Sequence, residues 1–222
     1  MSKAKILTLM PQKRSEPAGN VKVTRDEWLE TAMDVLVSQG VEQVKVQPIG
    51  ERLGVSRSSF YWYFKSRQHL LDTLLERWER KNTGAIVTQC ELPAQTITEA
   101  VCNLFRCFVD AGIFDHRLDF AVREWSRRSG TVRRILDDSD QARLEAIAQM
   151  FARHGYDDQD SKTRARILYY MQIGYYAADL QESLEQRFAH LPGYLSGFTG
   201  REPLPHEIEE FLAFARSKQE SK

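Results

Sequence analysis

The sequence predicts an all-α fold: a small N-terminal helical unit containing a helix-turn-helix, joined to a larger helical domain. Three observations predict it. Helix-start signals precede apolar residues recurring at spacings of three and four, glycines stand where such segments end, and no segment sustains the alternation of a strand. Val44-Lys45-Val46 alternates but runs straight into Pro48, which makes it a connection.

Residues 1–22 have few large apolar side chains, carry Pro11, Pro17 and Gly19, and set Lys3, Lys5, Lys13, Arg14 and Lys22 against the single acid Glu16. Such a stretch buries too little to fold, so a flexible basic arm is expected, either a solubilising tail or a reader of the minor groove. Thr24-Arg25-Asp26-Glu27 is a capping box, in which hydroxyl and carboxylate satisfy the open N–H groups of a helix start. Trp28, Ala32, Val35 and Leu36 then share one face, and Gly40 closes the helix. Val46–Gly54 forms a second helix, with Pro48 in the first turn, where its missing N–H costs nothing. Ser56–Phe64 forms a third and Ser66–Lys81 a fourth, with Leu71, Leu74, Leu75 and Trp78 along one stripe. Beyond a second capping box at Thr96 to Glu99, helical segments are expected over 95–110, 114–128, 131–154, 160–190 and 205–217. The predicted organisation is an arm at 1–22, a helix-turn-helix domain with its linking fourth helix at 23–81, and a larger domain at 82–222.

A chain of 222 residues can bury a substantial core without covalent staples. Cys90, Cys102 and Cys107 are odd in number and show no paired spacing, which reads as reduced thiols in a cytoplasmic protein. The apolar run Ile6 to Met10 is too short for a signal sequence, and no stretch reaches transmembrane length, so a soluble chain without a membrane partner is expected. The net charge of zero conceals a division. Residues 1–81 hold 14 Lys and Arg against 10 Asp and Glu, and the remainder holds 17 against 21, leaving the positive end at the helix-turn-helix.

Between Val46 and Phe60 each special residue has a task. Gly50 lets the next helix approach, Gly54 permits the left-handed backbone of the tight turn, Ser56 stands at a cap position, and Ile49, Leu53, Val55 and Phe60 supply a wedge of core. A helical hairpin without DNA has the same needs. The following residues separate the readings, because Arg57, Ser58, Ser59, Tyr61, Trp62, Tyr63, Lys65 and Arg67 crowd donors and aromatics into little more than two turns. Arg57 at a helix start can donate a bidentate pair to guanine, and Ser58 and Ser59 are small enough to let the helix sink into a major groove. One of Tyr61 and Tyr63 can reach a phosphate, joined by Lys65 and the helix start around Ser66 and Arg67. Phe64 reads as core, and Trp62 stands open between packing and a sugar or methyl contact.

From Gly54-Val55-Ser56 through Phe60-Tyr61-Trp62-Tyr63-Phe64-Lys65 to Leu70 and Leu71, the sequence resembles the DNA-binding region of the TetR family of repressors, over about residues 24–80. Two departures, Ser58-Ser59 after the turn and Tyr63 at a position shared with histidine, bear on which operator is read. The resemblance implies a homodimer whose recognition helices enter successive major grooves of double-stranded operator DNA, about 34–36 Å apart, and a small-molecule effector, of unknown identity, that releases the DNA. It also implies phosphate contacts from Lys45 and Gln47, and a four-helix bundle built from the last two long helices of each subunit.

In the larger domain, Leu144, Ile147, Ala148 and Phe151 mark one buried face and Ile208, Phe211, Leu212 and Ala215 another. Residues 164–180 are too apolar and aromatic for a helix covered on one side. Together with the resemblance, this assigns Ile167, Met171, Gly174, Tyr175, Ala178, Ile208, Phe211 and Leu212 to a dimer interface, with an intramolecular core as the alternative. Phe105, Phe108, Trp125, Tyr169 and Tyr170 are the expected lining of a ligand pocket between helices.

Two rival readings stand beside this one. An enzyme needs a catalytic or metal constellation, but the five histidines are scattered, no His pair stands at i, i+4, and no phosphate-cradling loop or nucleophile elbow occurs, so neither cofactor nor metal is expected. A helical protein-binding adaptor without DNA binding is the other.

Overall fold

The computed structural model describes residues 23–178, 180 and 182–218; the arm expected over 1–22 lies outside them. All regular structure among the described residues is helical. The first four helices are α1 (Arg25–Gln39), α2 (Val46–Arg52), α3 (Arg57–Phe60) and α4 (Arg67–Trp78). Thr24 opens α1 with the expected capping box, its hydroxyl accepting from Glu27 N at 3.2 Å while the Glu27 carboxylate accepts from Thr24 N at 2.7 Å. A 3₁₀ turn, Val41–Gln43, leads into α2.

The α4 helix does not stop near residue 81. It passes through a π-helical turn, Glu79–Thr83, directly into α5 (Gly84–Glu91), so one continuous rod carries the N-terminal unit into the body. The body comprises α6 (Ile97–Val109), α7 (His116–Ser126), α8 (Gly130–Arg153), α9 (Asp158–Ala177), α10 (Leu184–Ala189), α11 (Leu191–Thr199) and α12 (Pro205–Ser217). The expected helix over 160–190 is therefore two. Ser183 restarts the chain with its own capping box to Gln186, and that local signal breaks a segment that periodicity alone runs together.

Two cores result. One gathers Trp28, Leu36, Ile49, Phe60, Phe64 and Leu74 of the first four helices and continues into Leu118, Val122, Trp125, Val132 and Leu136, so α7 and the start of α8 are the platform on which the N-terminal unit sits. The other lies between α5, α6, α8, α9, α11 and α12 around Leu104, Ile147, Phe151, Leu168 and Leu195. Thr98 on α6 donates to the buried Glu207 carboxylate at 2.6 Å, as does Thr96, pinning α12 onto α6. The three thiols are buried. Burial pushes Cys90 well above its ordinary value and lifts Cys102 and Cys107 to about 12, which keeps all three as inert thiols.

Candidate nucleic-acid interface and ligand cleft

The turn between α2 and α3 depends on two glycines. Gly54 has φ +68°, a left-handed conformation that disfavours side chains, and a Cβ on Gly50 would stand 3.1 Å from the Val55 carbonyl and 3.3 Å from the Trp28 ring. Beneath the turn Phe60 packs edge-on to Trp28 and stacks on Phe64, with ring centroids 5.3 and 5.2 Å apart. Regular α3 ends at Phe60 rather than Phe64. Tyr61, Trp62 and Tyr63 follow in tight turns bonded back to Ser58, Ser59 and Phe60, because both phenylalanines must point into one core.

What remains faces out. Arg57 and Ser58 are exposed, Ser59 is half-buried, Tyr61 is 48% exposed and Trp62 72% exposed. Their polar groups are bonded mainly to one another: Arg57 Nη2 donates to the Tyr61 hydroxyl at 2.9 Å, the Ser56 and Ser58 hydroxyls meet at 2.7 Å, and Ser59 donates to the Ser56 carbonyl at 2.9 Å. Such exposed bonds exchange readily for contacts to base edges or phosphate. Ser56 thus stands at the start of α3 without a side-chain capping bond. Lys65 is exposed at the next helix start, where Ser66 caps α4 by accepting from His69 N at 3.1 Å. Lys45 and Gln47 are exposed at the start of α2, Gln47 donating to Glu51 at 3.0 Å. The indole of Trp62 settles on the solvent side of the two readings.

Two of the expected DNA contacts already have partners within the chain. Arg67 points inward, Nε donating to the Val44 carbonyl at 2.6 Å and Nη2 to Val41 at 2.7 Å, so its fork locks the 3₁₀ turn ahead of α2. Tyr63 is half-buried and donates to the Val23 carbonyl at 2.9 Å, tying the entry of α1 to the end of the recognition segment.

Beneath α4 lies a charged junction. Asp119 on α7 accepts from the buried Trp78 Nε1 at 2.9 Å and from Arg123 Nε at 2.9 Å, and forms an ion pair with the fully buried Arg143 at 2.9 Å. Burial alone would raise the Asp119 pKa, but the Arg143 and Arg123 guanidiniums outweigh it and hold the carboxyl below its ordinary value. Asn82, in the π turn, donates to the Asp115 carbonyl at 2.8 Å and accepts from Asp115 N at 3.1 Å. Arg143 also spreads over the Trp78 ring at 5.2 Å, so the rod is clamped to the body by an aromatic, an amide and a carboxylate together.

Between α6, α9, α10, α11 and α12 opens a cleft. Phe105 and Phe108 line it, joined by Met171, Tyr175 and Phe211 of the expected dimer face, and by Gln172, Arg187, Phe188 and Tyr194. Phe211 is buried and turned toward α6, so it is not available to a second subunit. The other ligand candidates lie elsewhere. Trp125 belongs to the N-terminal core, Tyr170 is exposed, and Tyr169 is buried with its hydroxyl donating to Asp140 at 2.6 Å beside Arg123 and Arg143. Ile167, Gly174 and Ala178 are exposed along α9, whereas Ile208 and Leu212 are half-buried against the second core.

Residues 29–74, which span α1 to α4, match the family model described as "Bacterial regulatory proteins, tetR family". Over these four helices the chain is similar to the TetR family. It is 38% identical over 55 residues to the class C tetracycline repressor of Escherichia coli, covering 25% of each chain. It is 35% identical over 78 residues to the regulator EthR of Mycobacterium tuberculosis, 35% of each chain. The matches thus span between a quarter and about a third of these relatives' length. Over the body only the fold is shared: the fatty acid degradation regulator FadR of Bacillus halodurans superposes with a TM-score of 0.59 at 18% identity, covering 86% of this chain and 100% of that one. The TetR-type domain is thus legible in residue identities, while the cleft is not. Gln172 and Arg187 carry no spacing that marks them, and only their placement around one opening brings them together.

Proposed function

We propose that this chain is a TetR-type, ligand-responsive transcriptional regulator, a homodimer that represses by holding a near-palindromic operator and releases it when an effector fills the cleft. One observation carries the reading: the polar and aromatic edge of α3, Arg57, Ser58, Tyr61 and Trp62, stands in solvent on a core that fixes its direction. The exposed stripe Ile167, Tyr170, Gly174 and Ala178 on and just after α9 supports pairing of two copies, since its large apolar groups have no full cover among the described residues. The rod through the π turn supports coupling, because a shift of the body at Asp119 pulls directly on Trp78 and Asn82. No helix among the described residues is long and apolar enough to cross a membrane.

The test is a binding titration with duplex DNA from beside its own gene and with a scrambled duplex, at rising salt. Strong, sequence-selective binding that weakens steeply with salt is expected. Absence of binding at low salt overturns the reading and leaves the helical adaptor, for which a protein partner would then be sought.

A further inference from the structure

The effector cleft has a chemistry of its own. Its walls are aromatic and aliphatic, from Phe105, Phe108, Phe188 and Phe211 among others, which suits a hydrocarbon body. Two polar groups interrupt them. Gln172 is only 8% exposed, lies beside the Tyr176 hydroxyl, and its Nε2 meets no acceptor in bonding geometry. The guanidinium of Arg187 lies over the Tyr175 ring, 4.8 Å from its centroid, and among the described residues no carboxylate pairs with it. Gln172 and Tyr175 are three apart on α9, and both line the cleft together with Arg187. The nearby Glu182 is exposed and accepts from the Tyr175 hydroxyl.

We propose that the cleft binds an apolar monocarboxylate, with Arg187 as counter-ion, the Gln172 amide donating to the carboxylate, and the hydrocarbon body among the phenylalanines. A cation would be repelled by Arg187. A neutral hydrocarbon would cover a buried donor and a guanidinium without giving either an acceptor, a cost that a carboxylate removes with two charge-assisted bonds. Gln172 and Phe108 also line a smaller, inner cavity bounded by Asp119 and Arg143, so a ligand held at Gln172 is one side chain from the junction that grips Trp78. The route to DNA release rests on the function proposed above; the ligand class does not.

The test is calorimetric titration of the full chain with 2-naphthoate and decanoate, each beside its neutral amide. We expect either carboxylate to bind at least about tenfold tighter than its amide, the better arm telling whether the body is a ring or a chain. Arg187→Gln is expected to abolish that preference, Arg187→Lys to restore part of it, and Gln172→Leu to weaken carboxylate binding. Unchanged helical circular dichroism accompanies each half-exposed Arg187 variant. No binding of either carboxylate at millimolar concentration, equal binding of acid and amide, or an Arg187→Gln variant that keeps the preference overturns the proposal. Operator binding is measured in parallel: loss there with carboxylate binding intact counts against the regulator reading alone, and the reverse counts against the ligand class alone.

Discussion

The reading edge of α3 and the junction under α4 are both dense in polar and aromatic groups, yet they are built on opposite terms. At the edge, Arg57 donates to Tyr61 and the Ser58 hydroxyl meets that of Ser56, both in water, so their contacts are cheap to exchange. At the junction, Asp119, Arg143, Trp78 and Asn82 are withdrawn from water and bonded across three helices and the π turn, so a missing member leaves a buried charge without its counterpart. Polar density alone therefore does not mark a binding surface; the difference lies in whether a partner is still owed.

The largest effect is expected at the junction. Asp119→Ala strips the buried Arg143 of its nearest counter-ion, leaving Asp140 at 3.8 Å, and should cost about 3–5 kcal/mol in urea unfolding; a loss below about 1 kcal/mol would break the contrast. Because the folded Asp119 pKa is lowered, its stabilisation is fully present above the ordinary carboxylate value and fades as pH falls below about 4, and the variant should lack that part of the acid dependence. Next comes Gly174→Glu on α9. With nothing within 4 Å of a Cβ there, the monomer should fold unchanged, while self-association, followed by sedimentation, should weaken by about a hundredfold through paired like charges. The smallest effect belongs to the edge. Arg57→Ala should relax preference at one operator position by about 1–3 kcal/mol in a randomised-site assay with stability unaltered, whereas Arg67→Ala should do the reverse, lowering stability and leaving base preference alone.

The legible features were those whose causes sit close together in the chain. Thr24 and Glu27 cap a helix three residues apart, and Gly50 and Gly54 answer to a turn made by their immediate neighbours. The partners of Arg67 and Tyr63 lie 23 and 40 residues away, where no local pattern reveals that a guanidinium or a hydroxyl is already bonded. Trp125 failed likewise: its helix face looks the same whether it covers a cleft or the underside of the N-terminal unit. Aromaticity at helical spacing points to Phe105 and Phe108, but the polar half of the cleft, Gln172 and Arg187, comes from two separate helices, α9 and α10.

Of the four tryptophans, Trp28, Trp78 and Trp125 are enclosed and Trp62 alone lies open to solvent. The reading edge thus carries its own optical label. Acrylamide should quench that single indole selectively in the free protein, and a bound duplex should shield it, so occupancy can be followed by emission without attaching a dye.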